Sequence, residues 1–263
     1  MSKEAFKALN NGKNTFSQRF TTAFWVSKIR PLNEMKKFAA GLKGLQIPEG
    51  ERTVLFTPAP YLALLAEELR YEPILIGADH VSCPLGPATY KTSGLSCSCA
   101  PTGELCPDEL AALGCRAVLL GCMDRRICLQ ESSEIISLKA AYAAVHGLRP
   151  YICVGELHAE HLDDTCASAV ADQLDPLISM LRANDDVCVR DISLIYEPWA
   201  DAPEEAPSRQ QIEDAVGFIR EYFLDRISYA PEILYGGGLG KNSIRDILSA
   251  EGICGLMLDA DEM

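Results

Sequence analysis

The chain has 263 residues, 48% of them hydrophobic and 23% charged, which suits one large domain with a substantial core. Lys and Arg number 24 against 37 Asp and Glu, and the net charge of −13 disfavours nonspecific contact with nucleic acid or an anionic membrane. No run of about 18 apolar residues marks a membrane span, the N-terminal MSKEAFKALNNGKNTF lacks the apolar stretch of an export signal, and a cytoplasmic location is expected.

Along the chain, short apolar runs recur at 23–27, 53–57, 73–77, 117–121, 151–155, 193–196, 232–235 and 255–258. Most are continuously apolar, which is how a strand covered on both faces reads. The stretches between them carry helical spacing, at 33–42, 61–69, 107–113, 132–145, 164–181, 208–223 and 241–250. Pro107 suits a first helical turn, and Ser208 with Gln211 three residues on forms a capping pair. Eight strands alternating with helices predict an α/β protein with a (β/α)8 barrel in one domain. A doubly wound open sheet is the structural competitor.

Two segments depart from that rhythm. Residues 79–106 form a long irregular third loop rich in Gly, Pro, Ser and Cys. The chain stops after the eighth strand, so an eighth covering helix is expected to be absent; the N-terminal extension, 1–22, either covers that gap through 4–20 or leaves it open.

Eleven cysteines, an odd number without an export signal, fit a reducing compartment better than a disulfide framework. Cys115, Cys153, Cys188 and Cys254 lie in or beside apolar runs and read as small buried hydrophobes. Cys83, Cys97, Cys99 and Cys106 could form a zinc site in the third loop, but the spacing matches none of the usual pairs, and no metal is expected. His158 and His161 read as solvated surface in a polar helix start.

The strand ends carry a resemblance. GCMDRRICLQES (121–132), YICVGE (151–156), YEPWA (196–200), LYGGG (234–238), TGE (102–104) and TPAPYL (57–62) stand in the order of comparable segments of triosephosphate isomerase, a family the chain resembles over roughly 23–263. The family's segments read GHSERR, CIGE, YEPVWA and YGGS. The resemblance implies a small-molecule substrate, a sugar or sugar phosphate, whose proton moves between adjacent carbons through an enediolate. It implies no cofactor. It places Glu197 at the base position and Gly236, Gly237 and Gly238 at the substrate's phosphate.

Other parts of the family's site are changed. Cys122 stands where the catalytic His would, and the Glu two residues on becomes Asp124. Matching FWVSK to the family's NWKMN on Trp25 puts Phe24 on the Asn and Val26 on the catalytic Lys. Lys28 lies about 6–7 Å further along a strand. The sixth loop reads ADAPEEAPS (200–208), with three carboxylates, and the glycine pair after the eighth strand reads Asp259-Ala260. A carboxylate about 4 Å from a phosphate charge adds roughly 4 kcal/mol at a near-surface dielectric, or about three powers of ten in affinity. Efficient triose phosphate turnover is therefore not expected. Two readings stand: a divergent aldose–ketose isomerase using Glu197, or a barrel with a binding or regulatory role. A thiol function for Cys122, its pKa lowered by Arg125 and Arg126 and raised by Asp124, is a third. The family's third loop reaches a partner subunit, so its remodelling leaves the homodimer in doubt.

Overall fold

The computed structural model describes residues 20–83, 103–162, 165–199, 206–238 and 244–260. Eight parallel strands close into a barrel in chain order, with β1 pairing both β2 and β8. They are β1 (Thr21–Trp25), β2 (Arg52–Thr57), β3 (Ile74–Ala78), β4 (Ala117–Leu120), β5 (Arg149–Val154), β6 (Ser193–Tyr196), β7 (Glu232–Tyr235) and β8 (Gly255–Asp259). The described helices are α1 (Leu32–Leu42), α2 (Leu62–Glu68), α3 (Pro107–Ala112), α4 (Met123–Cys128), α5 (Ser133–Val145), α6 (His158–Leu162), α7 (Cys166–Ala183), α8 (Arg209–Ile227) and α9 (Ile244–Leu248). The closed barrel excludes the open-sheet alternative.

Alternation along each strand makes two cores. Ala23, Phe56, Leu119, Cys153, Ile195 and Met257 belong to the barrel interior, where the Phe56 and Tyr151 rings meet edge to face at 5.3 Å. Phe24, Leu55, Val118, Ile152, Leu194 and Leu256 point the other way, into the layer under the helices. Covering both faces is why these strands read as unbroken apolar runs. Beneath the barrel, charge replaces apolar packing. Glu232 Oε2 accepts from Arg52 at 3.1 Å and from Arg149 at 3.0 Å, joining the starts of β7, β2 and β5.

Most elements fall where the sequence puts them, and the exceptions have local causes. β1 starts at Thr21, inside the stretch read as an N-terminal extension, because Thr21 and Thr22 pair on both sides with β2 and β8. Both threonines are buried but polar, so they do not extend the apolar run. Helix α4 is additional to the expected set, MDRRIC being too short and polar to show helical periodicity, and the polar helix start at 158–162 forms a separate short helix, α6. The Ser208–Gln211 capping pair forms as expected, with Ser208 N–H donating to the Gln211 side chain at 2.8 Å. Cys188 is exposed, whereas Cys115, Cys153 and Cys254 are buried as expected. Residues 4–19, the expected cover for β8, lie outside the described residues, as do Cys97, Cys99 and most of the third loop. Among the described residues, no helix is long and apolar enough to cross a membrane.

Candidate active site

The C-terminal strand ends meet around Glu197. This residue follows β6, and its backbone N–H donates to Val154 O at 2.9 Å, extending the pairing with β5. Gly155 makes that approach possible: a Cβ there would strike the Glu197 carbonyl. The carboxylate turns inward, and its Oε2 accepts the backbone N–H of Met123 at 3.3 Å. Burial pushes the Glu197 pKa up to about 7, with Asp124 adding to the rise; the Met123 and Cys153 hydrogen bonds and the Arg126 charge oppose it.

Cys122 and Cys153 lie beside this carboxylate, their sulfurs 3.5 Å apart. Contact with Cys153 works to lower the Cys122 pKa, but burial and the charges of Glu197, Asp124 and Asp79 prevail and raise it. Cys153 is raised further, by its contact with Cys122 and then by burial. The expectation of a thiol activated by neighbouring arginines is thus corrected. Arg125 turns away to pair with Glu131, which also binds Lys139 at 2.7 Å. Arg126 does stay near, but as a brace. Its Nε donates to Gly121 O at 2.8 Å, its Nη2 to Cys153 O at 3.0 Å and its Nη1 to Ser133 Oγ at 3.1 Å.

The start of the site differs from the motif matching. Trp25 packs toward the barrel interior, while Val26 is 1% exposed in the outer core. Val26 therefore does not point where a catalytic cation would act. Ser27, the next residue after Val26, donates to Asp259 Oδ2 at 2.6 Å. Lys28 is exposed.

Gly236 and Gly237 follow β7 beside the Glu197 segment, and packing alone demands both. A Cβ on Gly236 would strike Ile195, and one on Gly237 would come within 2.8 Å of Pro198 and of the Tyr235 hydroxyl. Gly238 is exposed, and its carbonyl accepts from Tyr235 at 2.9 Å.

Beyond Glu197 the chain turns through Trp199, which adopts φ 54, a strained value for a bulky residue. The segment EPWA has one residue fewer between Pro and Trp than the family's EPVWA. The Trp199 N–H donates to Glu156 O at 2.8 Å. His158 and His161 are not solvated surface, as their polar context implied: both are half-buried, with rings 5.0 and 4.8 Å from that of Trp199. Behind Trp199 lies a cavity of about 270 Å³ between α7 and α8, lined by Glu156, His161, Tyr196 and Gln211 among others. Glu156 is buried and accepts the Tyr196 hydroxyl at 2.8 Å, and burial raises its pKa.

Comparison with known proteins agrees with this arrangement. The family model described as triosephosphate isomerase matches residues 27–260. The chain is 30% identical over 231 residues to the triosephosphate isomerase of Leptospira biflexa serovar Patoc, covering 85% of this chain and 87% of that protein. It is 29% identical to that of Pseudomonas putida strain W619, over 84% and 86% of the two chains. Against that of Coprinopsis cinerea it is 27% identical over 90% and 92%.

Proposed function

The chain belongs to the triosephosphate isomerase family, and from that premise we propose that it is a divergent intramolecular aldose–ketose isomerase with Glu197 as its base. The carrying observation is the Glu197 carboxylate itself. It sits at the end of β6, held by the Met123 N–H at 3.3 Å, with a pKa raised to about 7. A base poised near the working pH combines availability with driving force.

The substrate class is a small sugar or sugar phosphate. The reaction begins with Glu197 taking the proton from the carbon beside the carbonyl and ends with its return to the neighbouring carbon. Negative charge develops on the substrate oxygens in between, and a site needs donors for it. Cys122 in place of a His, and an outward Val26 in place of a Lys, leave that role thinly supplied. Weak turnover of triose phosphate follows from this, and from Asp259 where a phosphate would approach a glycine pair.

The same two replacements favour a second reading, a barrel that binds a ligand without converting it. Solvent deuterium exchange into dihydroxyacetone phosphate, beside a coupled isomerase assay at high enzyme concentration, separates the two. Exchange that Glu197→Gln lowers by about 10²–10⁴-fold supports the base. Exchange unchanged in that variant removes Glu197 from the chemistry. No exchange with this substrate or with unphosphorylated sugars leaves the binding role.

A further inference from the structure

The barrel interior presents a pair of sulfurs that proton transfer leaves unused. The Cys122 and Cys153 sulfurs are 3.5 Å apart. With a Glu197 carboxylate oxygen they form a group whose three donor atoms all lie within 4.8 Å of one another. The donors come from neighbouring strands: Cys122 follows β4, Cys153 lies in β5 and Glu197 follows β6. Both cysteines are buried, at 4% and 1% exposure. We propose that Cys122, Cys153 and Glu197 form a binding site for a thiophilic divalent cation of the zinc class.

The sulfur pair suits such an ion with little movement. Tetrahedral zinc, with Zn–S bonds of about 2.3 Å, holds two sulfurs about 3.8 Å apart. The sulfurs here need to separate by only a few tenths of an ångström. The ligand types select the metal: two thiolates exclude Mg²⁺ and Ca²⁺, whereas Zn²⁺ and Co²⁺ accept sulfur and carboxylate together. Binding releases the two thiol protons to solvent, so two thiolates, one carboxylate and a divalent cation carry a net charge of −1.

Arg126 answers both remaining needs. Its guanidinium charge acts on Cys122, Cys153 and Glu197 together. Its hydrogen bonds to Gly121 O and Cys153 O fix the backbone carrying both sulfurs. Three protein ligands leave a fourth position for water, as in an open zinc site. A bound cation occupies the Glu197 carboxylate, so metal occupancy and base function exclude each other. The site itself does not depend on Glu197 being a base.

The test is a Co²⁺ titration of the full chain, stripped with chelator and kept reduced with a phosphine. The expected result is one equivalent giving sulfur-to-cobalt charge-transfer absorption with intense tetrahedral visible bands, both bleached by Zn²⁺. Cys122→Ser leaves Cys153 as the one thiolate, so the charge-transfer absorption is expected to fall by about half, and Zn²⁺ affinity falls by more than the roughly 100-fold cost of losing an outer-shell partner. A double variant, Cys97→Ser with Cys99→Ser, keeps the signal. Where Cys122→Ser fails to fold, Glu197→Gln decides: it retains both sulfurs and is expected to shift the visible bands and weaken binding. Absence of a thiolate band in the native chain overturns the proposal. So does a band undiminished by Cys122→Ser, one lost in the Cys97/Cys99 variant, or Zn²⁺ affinity unchanged by Glu197→Gln. None of these readouts involves turnover, so they report on the metal site even if Glu197 proves not to be the base.

Discussion

The Glu197 carboxylate accepts the backbone N–H of Met123 at 3.3 Å, although 74 positions separate the two residues. The bond ties the end of β6 to the residue that follows Cys122, linking the base to the replaced electrophile position. One N–H offsets only part of the cost of burying a carboxylate, which is why its pKa is raised and not lowered.

That imbalance has a measurable sign. In the unfolded chain Glu197 ionises near its ordinary 4.5, and in the folded chain near 7. Between those values the folded state holds the extra proton, so this group's contribution to stability falls as pH rises from 4.5 to 7 and is constant above. Glu197→Gln lacks the penalty and keeps the shape. The variant is expected to match the native chain at pH 4 and to exceed it at pH 8 by up to about 3 kcal/mol. Urea unfolding at the two pH values, with chelator present, measures the difference. An equal gap at both would show that the carboxylate is not desolvated.

Gly155 controls the same carboxylate from behind. A methyl group there meets the Glu197 carbonyl and comes within 3.1 Å of the Pro198 nitrogen, all backbone atoms that cannot rotate aside. Gly155→Ala is expected to cost about 1–3 kcal/mol by overpacking. It should also displace the base, and a misplacement of about 1 Å lowers turnover by roughly 100-fold. Exchange per folded molecule, compared with a denaturation midpoint, separates the two effects. A lowered midpoint with unchanged exchange would mean that the strain is absorbed away from Glu197.

Much of this is legible in the sequence, and what is not shares a cause. Strands buried on both faces announce themselves as apolar runs, and Glu197 stands out because YEPWA ends one of them. Cys153 sits inside such a run and reads as core, which it is. Its other role appears only when strand pairing brings β4 beside β5 and sets it 3.5 Å from Cys122. Trp25 shows the converse. It anchors the motif match, but alternation along β1 turns it inward and Val26 outward, which a residue-by-residue match cannot see. His158 and His161 read as solvated from their polar neighbours, yet the turn at Trp199 lays its ring against both.

Arg126 braces the site through three hydrogen bonds, two of them to carbonyls on adjacent strand ends. A lysine ammonium is a point donor that cannot span those carbonyls in one plane. Arg126→Lys is therefore expected to lose about 2–4 kcal/mol, from two or more charge-assisted bonds with their acceptors left buried. Arg125→Lys is expected to cost less, because Glu131 keeps Lys139 as a partner at 2.7 Å. Chemical denaturation of both variants orders them. Equal losses would show that the brace is only another ion pair.

Glu232 provides the contrast at the opposite end of the barrel. Its Oε2 takes Arg52 at 3.1 Å, Arg149 at 3.0 Å and the Ser193 hydroxyl at 3.3 Å, with 27% of the Glu232 side chain exposed. Glu232→Gln removes the negative charge from that group and leaves two guanidiniums facing a neutral amide. Partial exposure and salt soften the repulsion, so the expected loss is about 1–3 kcal/mol, below that of a fully buried pair. Added salt should narrow the gap to the native chain by screening the two arginines. In a barrel of this kind the starts of the strands serve stability and their ends serve chemistry. Exchange by folded protein and the cobalt spectrum should therefore match the native chain while the urea midpoint falls. A change in either would mean that the floor of the barrel is coupled to the Glu197 end.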